Sequence, residues 1–253
     1  MNYNEKVRLV SCMLDLGEIL LTSGAEVNRI EDTITRIGLA YDFVRVDVFT
    51  ITSSIVLTIS TLEEEVITQT RRITRYDTDM DKIDKVNSLS RRICENPPDI
   101  KFLSDQIAMI RQENKYPQIA YFFIYAVVSA AFSIFFGGSG LDAVAAFLSG
   151  IVMRLVLLIG ARMKMQNIIL NIICSAIVGA TAVFLTSIGI GQSLDKIIIG
   201  NIMLLIPGLS LTSSLRDIIS GHTITGLLGM CEAVLKAVAV AMGFALIILG
   251  IGS

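Results

Sequence analysis

The sequence predicts a mainly α membrane protein, with a cytosolic α+β N-terminal domain (residues 1–115) followed by a five-helix transmembrane bundle (residues 116–253). Three observations predict it. Charge is divided unevenly along the 253 residues: 15 of the 21 Lys and Arg lie at or before Lys115, and 19 of the 23 Asp and Glu lie before Pro117. The remainder is apolar in runs of about 20 residues, the length of a helix that crosses a hydrocarbon core. Within the first part the hydrophobic period changes from helical to two and back.

The N-terminal domain reads as follows. Residues 5–22 form an amphipathic helix with Val7, Val10, Leu14 and Leu21 on one side, ended by Ser23-Gly24. A second helix repeats Val27, Ile30, Ile34 and Ile37 at threes and fours, a narrow apolar seam. Val44, Val46 and Val48 then alternate with Arg45 and Asp47, Ser54–Ser60 is β-branched, and Glu65–Ile73 is a third run. These make a small three-stranded antiparallel sheet, with a turn at Thr61-Leu62-Glu63-Glu64. Thr78-Asp79-Met80-Asp81 resembles a capping box for a helix to about Cys94, and Pro97-Pro98 ends it. A last helix covers about Asp99–Asn114. Asp15 and Glu18 interrupt the first apolar run, so it is not a signal peptide and the N-terminus stays in the cytosol.

Five spans follow, at about 118–136, 141–160, 167–188, 195–214 and 222–251. Arg111 and Lys115 precede the first, Arg162 and Lys164 lie between the second and third, and Arg216 lies between the fourth and fifth. The connections Gly137–Gly140 and Gly189–Leu194 carry no basic residue, with Lys196 the nearby exception. The positive-inside rule gives a multi-pass protein of the cell membrane, N-terminus cytosolic and C-terminus outside. An odd number of spans leaves no pair of equal halves and points to a missing partner in the lipid bilayer.

The fourth run is interrupted by Pro207-Gly208, where a helix kinks or breaks. Ser210, Thr212, Ser213 and Ser214 follow at once. A freed backbone group in lipid costs several kcal/mol unless something satisfies it, so a broken helix beside hydroxyls suits a solute pathway. Arg154 lies inside the second span, and Glu232 and Lys236 lie inside the fifth. Charges at that depth face a cavity or a partner. Glu232 would carry a proton or bind an ammonium, and Arg154 or Lys236 would meet a carboxylate. The alternative for Glu232 and Lys236 is a structural i,i+4 pair. Arg216 and Asp217 form a gate or a helix-end pair, or Arg216 anchors the topology.

The sequence argues against other classes. The four cysteines (Cys12, Cys94, Cys174, Cys231) are scattered without a metal or disulfide spacing, and no cofactor motif is present, so neither cofactor nor metal nor enzyme activity is expected. A net charge of −2 gives no basis for nucleic-acid binding. Glu63-Glu64-Glu65 reads as a solvated turn rather than a cation site, and Arg71-Arg72 and Arg91-Arg92 as solvated surface. Gly137-Gly138-Ser139-Gly140 resembles the serine motif of rhomboid proteases. Its only histidine partner, His222, falls on the opposite side of a roughly 30 Å core. A Gly-Ser hairpin accounts for the motif better.

Two stretches resemble the threonine/serine exporter family in its two-component form. One is LGEILLTSGAEVNRIEDTITRIGLAY (Leu16–Tyr41). The other is LLIPGLSLTSSLRDIISGHTITGLLGMCEAVLKAVAVAMGFAL (Leu204–Leu246), with Pro-Gly, Arg-Asp and Glu-Ala in pattern. The chain departs from that pattern where Gly229-Met230-Cys231 stand before Glu232-Ala233. The resemblance implies a secondary active, proton-driven exporter (an antiporter) moving small amino acids out of the cytosol. Two-component members are also linked to dicarboxylates such as succinate. It implies a second small membrane subunit, and hence an oligomer. A non-transporting sensor or assembly subunit is the other reading.

Overall fold

The computed structural model describes residues 1–74, 78–112 and 116–251, with Ile251 as backbone alone. Lys115 and the expected end of the fourth helix near Asn114 lie outside the described residues, as does the end of the chain. The chain is mainly helical, with a small sheet near its N-terminus. It divides into two compact units, Met1–Asn114 with Leu209–Cys231, and Lys115–Gly208 with Glu232–Ser253.

In the first unit, α1 (Tyr3–Thr22) opens with a reciprocal capping box between Asn2 and Glu5. α2 (Val27–Ala40), β1 (Arg45–Ile51), β2 (Ser54–Ser60), β3 (Val66–Arg72), α3 (Met80–Glu95) and α4 (Ile100–Gln112) follow. The sheet is antiparallel in the order β1-β2-β3. Its period of two turns Ile55, Leu57 and Ile59 inward. Against them lie Leu9, Met13, Leu16 and Leu20 of α1 and the Ile30–Ile34–Ile37 seam of α2.

Three expectations change here. α1 is not one-sided: α2, α3, α4, β2 and β3 all pack on it, so Leu9, Val10, Met13, Leu14, Leu16 and Leu20 are all buried. It is the central rod of the unit, and Gly17 is the point of closest approach, where a Cβ would stand 2.7 Å from Ile34 Cδ1. The cap of α3 is Asp79, whose carboxylate accepts the Lys82 amide hydrogen. The Glu63–Glu65 turn and Arg71 are not merely solvated. Lys6 of α1 is buried, and its ammonium donates to Glu63 and, at 2.8 Å, to Glu65. Arg71 donates to Asp15 at 2.7 Å.

The second unit contains α5 (Gln118–Phe135), α6 (Gly140–Arg162), α7 (Asn167–Ser187), α8 (Leu194–Leu205) and most of α10 (Thr223–Ile251); α9 (Gly208–Ile219) belongs almost wholly to the first. Four helices, α5, α6, α7 and α10, are long and apolar enough to cross a membrane. α8 and α9 together would make a fifth as one broken span. Within the unit α5 packs on α6 and α8, and α7 on α6 and α8. Small residues permit this. A Cβ on Gly150 would stand 2.7 Å from Tyr125 O, and one on Gly200 2.6 Å from Ser129 O. Ser129, buried at that crossing, donates to Asn201 Oδ1 at 3.0 Å, which satisfies both groups away from water.

Candidate functional site

The helix break follows from covalent geometry. Pro207 has no amide hydrogen and holds the residue before it out of the helical region. Ile206 is accordingly extended (φ −66°, ψ 126°), α8 stops at Leu205, and α9 starts at Gly208. The helical hydrogen-bond ladder is interrupted there, and the Gly208 amide donates to Ile206 O at 2.9 Å instead. On α9, Thr212 Oγ1 donates to Leu209 O at 2.9 Å, and Ser214 Oγ donates to Ser210 O at 2.7 Å. Ser214 is buried against α10: a Cβ on Gly229 would meet its Oγ at 2.4 Å, and one on Gly226 its carbonyl at 2.6 Å.

Several polar groups of the first unit meet at the turn between α9 and α10. Asp217, buried, accepts the Val27 amide hydrogen on Oδ1 at 3.0 Å. Val27 is the first residue of α2, and Glu26 before it gives no side-chain cap. A carboxylate at an N-terminus satisfies an orphan donor and meets the positive end of the helix dipole. Arg216 ion-pairs with Glu26. Glu31, one turn into α2, accepts the Thr50 amide hydrogen at 2.8 Å, and its other oxygen stands 4.0 Å from His222 Nε2. Burial pushes the Glu31 carboxyl above its ordinary range, partly offset by the Thr50 amide and by His222. Thr225 Oγ1 of α10 donates to Thr50 O at 3.3 Å.

Arg154 sits on α6 eight residues before Arg162, roughly 12 Å along the axis. Its guanidinium donates to Gln118 Oε1 at 2.9 Å and lies 4.7 and 5.6 Å from the ring centroids of Tyr121 and Tyr125 on α5. Its Nε is buried without a hydrogen-bond partner. Among the described residues no carboxylate lies within ion-pair distance of it. Arg154 therefore lies level with the first turns of α5, and is nearer the middle of its own helix than either end. Glu232 is exposed on the isolated chain and Lys236 half-buried, and among the described residues they form no ion pair with each other.

The expected residues thus fall into separate places. Pro207 and Gly208 make the break, and Ser210 and Thr212 lie on α9 just past it. Arg216 and Asp217 join a cluster with Glu26, Val27, Glu31 and His222. No hydrogen bond or ion pair among the described residues links Arg154, Glu232 or Lys236 to one another. Glu26, Glu31, Gln118 and Tyr121 were not singled out by sequence. For the first two a signal existed, because Ser-Gly-Ala-Glu and Arg-Ile-Glu lie in one of the two stretches that carry the family resemblance. Those two stretches meet in space at this cluster.

A model of the threonine/serine exporter family, ThrE, matches residues 11–251. No curated protein and no solved structure matches the chain.

Proposed function

We propose, because the chain belongs to the threonine/serine exporter family, that it is one subunit of a secondary active exporter moving threonine- or serine-like amino acids from the cytosol to the outside. Protons drive the export, and a second small membrane subunit of the same family completes it. Residues 1–115 are the cytosolic domain and residues 116–253 the membrane domain. Counting α8 and α9 as one broken span gives five, with the N-terminus cytosolic. The distribution of basic residues supports this orientation.

The observation that carries the reading is the break at Ile206–Pro207 inside an apolar helix pair. Hydrocarbon does not satisfy the backbone groups that such a break frees, so a wet, solute-sized space belongs beside it. In this reading Pro207 and Gly208 open the pathway, and Ser210 and Thr212 contact substrate. Arg154, which has no carboxylate partner among the described residues, draws the substrate carboxylate. Arg216 and Asp217 close the cytosolic gate. Glu232 carries the proton, with Lys236 one turn further along α10.

The test is efflux of preloaded labelled threonine and labelled succinate from cells that express the chain with its partner subunit. Threonine efflux that stops with a protonophore and in Glu232→Gln is the expected result. Normal efflux from Glu232→Gln at wild-type membrane levels removes Glu232 from the mechanism. Succinate efflux alone shifts the substrate to dicarboxylates, and no flux of either solute favours a sensor.

A further inference from the structure

The α+β part of the first unit has no catalytic signature, yet several of its polar groups are engaged by α9 and the start of α10. α9 is 12 residues long. A helix of that length is marginal without tertiary support, and the break after α8 removes the support of a continuous rod. Its seats within the unit are the glycine face of α10 at Gly226 and Gly229, and the start of α2. The second is the more specific. The Val27 amide donates to Asp217, Glu26 pairs with Arg216, and Glu31 holds the Thr50 amide while Thr225 donates to the Thr50 carbonyl. Asp217, Thr50 and Thr225 are all buried, so these are desolvated bonds whose loss strands a donor or acceptor.

We infer that the start of α2, namely Glu26, the Val27 amide and Glu31, is a positioning element of the exporter. It holds α9 where Ser210 and Thr212 act, and the cytosolic domain thereby takes part in transport without touching substrate. The claim rests on the exporter reading. The hydrogen bonds, at 2.8 and 3.0 Å, dominate over the His222–Glu31 pair at 4.0 Å. Neutral groups that keep the acceptor therefore keep the position.

Val27→Pro tests this with little collateral change. Proline suits the first position of a helix, and Glu26 already has the extended backbone that precedes proline (φ −67°, ψ 144°). The substitution deletes the amide hydrogen that Asp217 accepts. Val27→Ala is its control, removing more side chain but keeping the amide. Glu31→Ala and Glu31→Gln form a second pair, in which Gln keeps the acceptor for Thr50. Labelled threonine efflux is measured on the full chain with its partner subunit, together with hydrogen exchange of the amides in α9 and in α1. Val27→Pro and Glu31→Ala are expected to lower efflux about tenfold or more and to speed exchange in α9 while α1 stays protected. Val27→Ala and Glu31→Gln should stay within about twofold of wild type. Wild-type efflux from Val27→Pro, or equal losses in Val27→Pro and Val27→Ala, overturns the inference. So does loosened α9 with unchanged efflux. Absence of efflux from the wild type instead overturns the exporter reading. Should Val27→Pro fail to accumulate in the membrane, Thr225→Val removes a tie from the α10 side, and unchanged efflux there counts against the inference in the same way.

Discussion

Asp142 Oδ1, in the first turn of α6, accepts the Ser193 amide hydrogen at 2.8 Å from the connection into α8. The same oxygen accepts from Gln192 at 2.6 Å, and Oδ2 accepts from the Ser139 amide and hydroxyl, each at 2.8 Å. One buried carboxylate therefore caps α6 from its first turn and also organises the turn into α8, whose own Ser193 gives no side-chain cap. The Gly-Ser hairpin expected at residues 137–140 ends in this cap.

Asp142→Ala should strand the Gln192 and Ser193 amides and remove the α6 cap. Stranded part-buried donors and a lost cap together cost about 2–3 kcal/mol. For a chain of this size that lowers the melting temperature by roughly 5–10 °C. Thermal unfolding of the detergent-solubilised chain checks this. Asp142→Asn keeps one acceptor oxygen for the two amides and should lose less. Equal losses would mean that charge, not acceptor geometry, holds the turn.

The crossing of α5, α6 and α8 should tolerate no extra atom. A Cβ on Gly200 would stand 2.6 Å from Ser129 O and 2.9 Å from Ser133 N, and both are backbone atoms that cannot swing aside. Gly200→Ala is expected to destabilise by about 1–3 kcal/mol. Gly140→Ala, with nothing within 4 Å, should be neutral or slightly stabilising. Melting curves that place the two variants together would contradict the packing described.

The Lys6 tie makes stability depend on pH at both ends. Hydrogen bonds from Lys6 hold the Glu63 carboxyl below its ordinary value of 4.5, and Glu63 and then Glu65 hold the Lys6 ammonium above 10.5. A lowered acid contributes stability that is complete above its unfolded value and is lost as pH falls through the folded one. A raised base contributes below its unfolded value and loses that contribution as pH rises through the folded one. Lys6→Met should therefore flatten the melting-temperature profile below pH 4.5 and above pH 10.5. An unchanged acid limb would show that other carboxylates control it.

Arg154→Lys should raise the KM for export about tenfold. The stacked, planar guanidinium offers a fork to a carboxylate, and an ammonium on a flexible stem does not replace it. The distance to Tyr121, 4.7 Å, also favours guanidinium over ammonium. A KM that stays at the wild-type value in concentration-dependent efflux would assign Arg154 to anchoring α6 alone.

Much of the architecture is legible in the sequence. The alternation of Val44, Val46 and Val48 with Arg45 and Asp47 and the β-branched run Ser54–Ser60 mark strands, and the sheet is where it is expected. The apolar runs of α5, α6 and α7 mark helices by length. α1 is misjudged as one-sided, because five elements pack around it and leave exposed or part-exposed a narrow polar stripe of Arg8, Ser11, Asp15, Glu18 and Thr22. The Glu63–Glu65 turn reads as solvated because its partner, Lys6, lies 57 positions away and carries no local sign of burial. Arg216 and Asp217 are noticed from their place beside an apolar run, but nothing in their neighbourhood announces Glu26 and Val27.

By itself, the sequence determined the apolar runs, the strand period and the break before Pro207, since each depends on the covalent chain and on neighbours within a few residues; the end of α9 at Ile219, past the expected 214, did not follow from it. The tertiary structure alone decided which carboxylate caps α2, which one caps the turn into α8, and that Arg154 carries no counter-charge among the described residues. A buried donor takes whichever acceptor the packed core brings within about 3 Å, and that choice is made across as many as 190 positions of chain.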